Sequence, residues 1–219
     1  MASSSTHSFS RTQALALEEL RKAPSRKTLE ACYEAFSDHI ADLYQKVLNH
    51  IKDVRKKEGL DTTLGVILDI DETILFNEED SISLNRYMGP FMELFKREDV
   101  LVFFVTGRIL KHREATINQL HSLGLEKERD YEELFCKAPE LYGIYPKKNV
   151  VPEENLSSVT LYKQNIRYFI ASEYNVMLVL SMGDQFSDVD GDLFPNGTPR
   201  HRNLTHIQWV KLFSSYDIP

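Results

Sequence analysis

Two carboxylates two residues apart, Asp69 and Asp71, close the apolar run Gly65–Leu68 and are followed by Glu72 and Thr73. In a strand that continues, residues two apart face the same side, so the pair repels unless a proton or a cation intervenes. Gly183-Asp184-Gln-Phe-Ser-Asp188, with Asp190 beyond it, brings more carboxylate oxygen to the end of another apolar run. Hard oxygen donors without His or Cys favour Mg²⁺ over zinc, and Mg²⁺ commonly shares its shell with a substrate phosphate. The chemistry this set could do is metal-assisted phosphate chemistry. A single pair of strand-end acids would mean little, because such acids are often solvated turn caps. Thr106-Gly107-Arg108 closes a third run, and the three ends together are the informative pattern.

The elements that must position these residues are legible as short, β-branched, nearly continuous apolar runs. Gly65–Asp69, Val100–Val105 and Val176–Leu180 predict buried parallel strands at about 65–69, 101–105 and 176–181, and the amphipathic segments 108–123 and 160–174 predict crossover helices. That alternation is an α/β signature, and in open parallel sheets ligands bind at the carboxyl ends of the strands, where the three constellations must meet. Thr205–Phe213 reads as either a strand or a helix, after a turn-rich stretch at 192–200.

Residues 11–57 read as helical, broken at Pro24 and Ser25. Leu29, Tyr33, Phe36, Ile40, Leu43, Val47, Ile51 and Val54 form one stripe, expected to dock on the following domain, with a dimer interface as the alternative. The expected organisation is therefore an N-terminal tail and helices at 1–57 and a catalytic domain at 58–219.

Among 219 residues, 42% are hydrophobic and 27% charged, the balance of a globular chain large enough for a sizeable core. A net charge of -7 argues against nucleic acid or an anionic membrane as the main partner, since both select basic surfaces. Cys32 and Cys136 form neither a disulfide framework nor a metal cluster. The first ten residues lack the apolar core of a secretory signal and no run is long enough to span a bilayer, so the expected location is cytoplasmic. The sequons at Asn155, Asn196 and Asn203 are accordingly discounted, and the seven histidines show no ligand spacing tied to the acids.

D-x-D-x-T at 69–73, a strand ending in Thr106, Lys163 and G-D-x-x-x-D at 183–188, in that order, closely resemble the haloacid dehalogenase superfamily. Leu68–Leu75 and Gly183–Asp188 look more narrowly like its acid-phosphatase and plant vegetative-storage-protein branch, subfamily IIIB. The resemblance implies a Rossmann-like parallel sheet with helices on both faces. It implies Asp69 as a nucleophile that becomes phosphorylated and Asp71 as the acid and base. Mg²⁺ would be held by the Asp69 carboxylate, the Asp71 backbone carbonyl and Asp184, with Thr73 and Asp188 supporting from behind. Lys163 would neutralise phosphate and nucleophile together, Thr106 and the amides around Gly107 would bind phosphate oxygens, and Arg108 would support phosphate or an acidic neighbour.

A phosphotransferase or phosphomutase uses the same intermediate and is the alternative among enzymes. A non-catalytic phosphate-binding or storage protein is the alternative outside them, although the marks of catalysis, Asp69, Asp71, Lys163 and Asp184, are intact. Dehalogenation does not call for an acid at Asp71.

Cap insertions in such enzymes follow the first motif or precede the Lys motif. The corresponding segments, 76–99 and 137–158, predict a small or minimal cap and a fairly open site for small phosphomonoesters. Tyr87, Phe91, Phe95, Tyr142 and Tyr145 could form an aromatic rim able to stack on the base of a nucleoside monophosphate. Tyr87 and Phe91 are also four apart, the spacing of a helical core face.

Overall fold

In the computed structural model, the described residues are 34, 37–78, 81–138, 158–189 and 201–212. Helix α1 (Ser37–Glu58) leads into β1 (Leu64–Leu68), a hairpin of β2 (Leu75–Glu78) and β3 (Ser81–Leu84), and α2 (Gly89–Arg97). Then follow β4 (Val100–Ile109), α3 (Arg113–Ser122), β5 (Glu133–Lys137), α4 (Ser158–Glu173), β6 (Met177–Gly183), α5 (Phe186–Val189) and β7 (Gln208–Lys211). The main sheet has the order β5-β4-β1-β6-β7, and each neighbouring pair is parallel. It is an α/β fold with helices on both faces.

Alternation along the strands builds the two cores. Leu64, Val66 and Leu68 of β1 and Val102 and Phe104 of β4 pack with Val47, Ile51 and Val54 of α1, Phe91, Leu94 and Phe95 of α2 and Leu120 of α3. Ile67, Phe103 and Val105 point the other way, onto Tyr162, Ile166 and Ile170 of α4. Within the described part of the N-terminal stripe, Val47, Ile51 and Val54 are buried and Ile40 and Leu43 pack beside them, while Leu29, Tyr33 and Phe36 lie outside the described residues. Arg55 fastens the far end of α1 by donating to the carbonyls of Glu98 and Asp99, both at 2.8 Å.

Several elements depart from the sequence expectation. β4 runs on through Thr106, Gly107 and Arg108 to Ile109, with a register irregularity against β5 between Thr106 and Ile109. The β2–β3 hairpin fills part of the segment after the first acids, and the last segment is a strand. Phe91 and Phe95 belong to the core rather than to a rim, because the helical stripe of α2 faces the sheet. Asn203 is buried and donates to the Ala171 carbonyl at 2.8 Å, a structural role for one sequon residue. Cys32 and residues 139–157, with Tyr142 and Tyr145, lie outside the described residues.

Because α1 buries its stripe against the sheet, Ile51→Ala is expected to cost about 2–5 kcal/mol, the range for emptying a core site. Urea denaturation of the full chain measures it. A loss under about 0.5 kcal/mol, typical of surface positions, would mean that α1 is not part of the core.

Candidate active site

β1 delivers Asp69 to the carboxyl edge of the sheet, where its amide donates to the Met182 carbonyl of β6 at 3.0 Å. The chain then turns sharply: the Ile70 carbonyl accepts from the amides of Thr73, Ile74 and Leu75 at 3.3, 2.9 and 2.8 Å. Glu72 takes φ 56°, the left-handed region that costs a residue with a Cβ. Asn85, buried beyond the hairpin, donates from its side chain to the Thr73 carbonyl at 2.8 Å and accepts from the Tyr87 amide at 3.1 Å. It ties the returning chain to the acid turn.

α4 supplies Lys163, which is 3% exposed and lies 2.9 Å from Asp69 Oδ1 as an ion pair, with its Nζ also against Asp188 Oδ1. β6 and α5 supply Asp184 and Asp188. Carboxylate oxygens of Asp69, Asp184 and Asp188, all buried, lie within 4.8 Å of one another. Asp188 is clamped: its Oδ2 accepts from the Gln185 amide at 2.9 Å, and its carbonyl accepts from Ser181 Oγ at 2.6 Å. A Cβ at Gly183 would lie 2.3 Å from the Asp188 carboxyl, so glycine is required there by space. Gln185 Nε2 donates to Asp184 Oδ2 at 2.5 Å.

Among the described residues, the Lys163 ammonium meets two of these three acids, Asp69 and Asp188. Burial pushes the Asp69 carboxyl well above its ordinary range, with Asp188 and Asp184 adding to the rise and Lys163 opposing it. Burial alone would depress Lys163, but the pull of Asp69 and Asp188 outweighs it and raises the ammonium. A set of three buried carboxylate donors this close together fits a hard divalent cation such as Mg²⁺.

The second acid has a different setting. Arg108 grips Asp71 with both arms, Nε to Oδ2 at 2.9 Å and Nη2 to Oδ1 at 2.6 Å. Its remaining nitrogen, Nη1, donates to Gln119 Oε1 at 2.6 Å and to Thr116 Oγ1 at 3.3 Å, both on α3. Buried Thr106 accepts the Arg108 amide on its Oγ1 at 3.2 Å. Thr73 is also fully buried, and its Oγ1 has no hydrogen-bond partner among the described residues.

The fold thus groups Asp69, Lys163, Asp184 and Asp188 tightly, and joins Asp71 to Arg108 beside Thr106. Asp188, expected to support the metal ligands from behind, has a carboxylate oxygen within 4.8 Å of those of Asp69 and Asp184. Tyr87 is half-buried with the Arg86 guanidinium 5.1 Å from its ring. Sequence reasoning missed Asn85, Thr116 and Gln119; neither spacing nor residue type singles them out.

Residues 84–217, more than half of the chain, match the family model of the haloacid dehalogenase superfamily, subfamily IIIB (acid phosphatase). The chain belongs to this family. It is a phosphatase, and the matched span holds Thr106, Arg108, Lys163, Asp184 and Asp188 and begins after the Asp69–Thr73 turn. No curated protein matches the chain. Its backbone is similar to the class C acid phosphatase from Bacillus anthracis, in one structure of that protein and in another with tungstate bound. In each case identity is 17%, TM-score 0.48, and 81% of this chain and 73% of the other are covered.

A raised carboxyl pKa means that the native phosphatase holds this proton more tightly than the unfolded chain does. Stability should therefore fall as pH rises from the ordinary value of 3.8 through the raised one. Thermal midpoints in EDTA should show wild type losing stability relative to Asp69→Asn as pH rises above 3.8, and Mg²⁺ should restore it. A difference that stays constant as pH rises would contradict the raised Asp69 pKa.

Proposed function

We propose that this phosphatase is a Mg²⁺-dependent phosphomonoester hydrolase acting through a phosphorylated Asp69. The observation that carries the reading is the Asp69 carboxylate, buried at the end of the central strand, paired with Lys163 and grouped with Asp184 and Asp188. An oxygen of Asp69 attacks phosphorus, and the bond to the leaving oxygen breaks as that oxygen takes a proton from Asp71. Water then attacks the aspartyl phosphate, Asp71 accepts its proton, and phosphate leaves with Asp69 regenerated. Splitting the hydrolysis gives two easier displacements.

Lys163 opposes the rise in the Asp69 pKa, favouring the ionised nucleophile, and offsets charge on the phosphoryl oxygens, and the Thr106 hydroxyl with the amides around Gly107 offers them hydrogen bonds. Mg²⁺, when bound by the Asp69 and Asp184 carboxylates and the Asp71 carbonyl, supplies further charge neutralisation; the inward position of Asp188 supports adding it to that set or to the Lys163 pair. Arg108 has two acceptors to choose between. In the free enzyme it occupies both Asp71 oxygens, and a phosphoryl dianion competes for the same guanidinium. That competition frees an Asp71 oxygen to carry the proton at the moment substrate arrives.

Small phosphomonoesters are the proposed substrates, with nucleoside monophosphates among them through stacking on the remaining rim. With Phe91 and Phe95 in the core, that role falls to Tyr87 and, outside the described residues, to Tyr142 and Tyr145. Product analysis separates hydrolysis from phosphotransfer to a second hydroxyl.

Hydrolysis of an aryl phosphate should need Mg²⁺, stop in EDTA and vanish in Asp69→Asn; wild-type turnover by that variant would refute the nucleophile. Asp71→Asn should slow turnover by about 10²- to 10⁴-fold while keeping Mg²⁺ and phosphate binding. Lys163→Ala should lose at least as much as Arg108→Ala, because it strips the buried acids of their nearest cation. For Tyr87→Ala, a larger loss of kcat/KM on a nucleoside monophosphate than on the aryl phosphate is expected, and equal losses would place Tyr87 in the scaffold.

A further inference from the structure

Arg167 lies one helical turn after Lys163 on α4 and is fully buried, the largest such side chain among the described residues. A guanidinium taken out of water is costly unless its donors are met, so its contacts bear on its role. Nη1 donates to the carbonyl of Ser187 at 3.2 Å and to that of Asp188 at 3.4 Å. The guanidinium also lies over the Trp209 ring of β7, 5.1 Å from its centre.

Asp188 is the residue whose carboxylate meets Lys163 and joins the Asp69 and Asp184 oxygens. Its helix, α5, is a single turn, too short to satisfy its own carbonyls. Arg167 and Ser181 share the Asp188 carbonyl between them. The same helix face that presents Lys163 thus reaches, four residues on, to the backbone of Lys163's own partner. Nη1 serves both carbonyls while the guanidinium carbon lies 5.1 Å from the indole centre, whereas a lysine is a point charge on a flexible stem.

We propose that Arg167 is a positioning residue of this site. It sets the Ser187–Asp188 backbone at one distance from α4, so that the Asp188 carboxylate meets Lys163 and the three acids stay within reach of one cation. It acts through the Asp188 backbone, and the proposal rests on the Mg²⁺-dependent reading above.

The test uses the full chain and three variants, Arg167→Met, Arg167→Lys and, as a control, Ile51→Ala, which lowers stability from the opposite face of the sheet. Mg²⁺ binding without substrate is measured by titration calorimetry, kcat and KM on an aryl phosphate, and thermal midpoints alongside. Arg167→Met should bind Mg²⁺ about 10- to 100-fold more weakly, the usual effect of removing a group that orients metal ligands, with kcat falling more than KM rises. Arg167→Lys should recover part of both, and Ile51→Ala should lose stability with Mg²⁺ affinity intact. If Arg167→Met does not fold, a loss of Mg²⁺ affinity and kcat in folded Arg167→Lys decides for the proposal. Mg²⁺ affinity and kcat unchanged in the folded Arg167 variants, with only the midpoint lowered, would overturn it. Wild type that neither binds Mg²⁺ nor hydrolyses phosphomonoesters would overturn the functional reading and this proposal with it, whereas a competent wild type beside unaffected variants overturns this proposal alone.

Discussion

The ammonium of Lys163 stands between the carboxylates of Asp69 and Asp188 in a place almost closed to water. Separately, each of these charges would be expelled from such a site or neutralised. Together with Asp184 they are held, and burial, with Asp188 and Asp184 adding to it, raises the Asp69 pKa against the pull of Lys163. The pairing also requires α4 to be sunk into the protein: residues 161–167 are buried without interruption, Gln164 and Asn165 included. A helix that carried Lys163 on an ordinary half-exposed face would leave the ammonium in solvent, where pairing with the acids is weak.

The rest of the carboxyl edge serves the same constraint. β1 sits between β4 and β6, so the ends of three strands far apart in sequence open beside one another. Each end is shaped by a local device. After β1 the Ile70 carbonyl gathers three amides and Glu72 accepts a left-handed conformation; after β6 the bare Cα of Gly183 admits the Asp188 carboxyl. Strained or close-packed backbone of this kind persists only where surrounding contacts over-determine it, and the Asn85 and Ser181 hydrogen bonds supply such contacts.

The two faces of the sheet hold different acids. From one, α3 offers Thr116 and Gln119 to Arg108, which grips Asp71. From the other, α4 offers Lys163 to Asp69 and Arg167 to the backbone of Asp188. The nucleophile candidate and the proton-transfer candidate are two residues apart in the chain, yet their environments are set by different helices. Asp69 is buried among acids, and Asp71 is half-exposed in a fork of donors. Different surroundings for two like groups are what separate their chemical roles.

The sequence alone determined the residue types and the periodicity. β-branched runs ending in Asp69, Thr106 and Gly183-Asp184 could only be buried parallel strands, and parallel strands bring their ends to one edge; the fold class and the core of the site were legible for that reason. The β2–β3 hairpin was not, because Leu75–Glu78 does not alternate and Ser81–Leu84 alternates over only four residues, and neither was β5, a five-residue edge strand. Tertiary structure alone decided partners. Arg108 meets Asp71 across 37 residues and Lys163 meets Asp188 across 25, contacts fixed by strand order and helix depth rather than by local spacing. It likewise drew Asp188 inward among the acids and sank Arg167 against its backbone, since a side chain's burial depends on what the rest of the chain packs over it, and no local pattern records that.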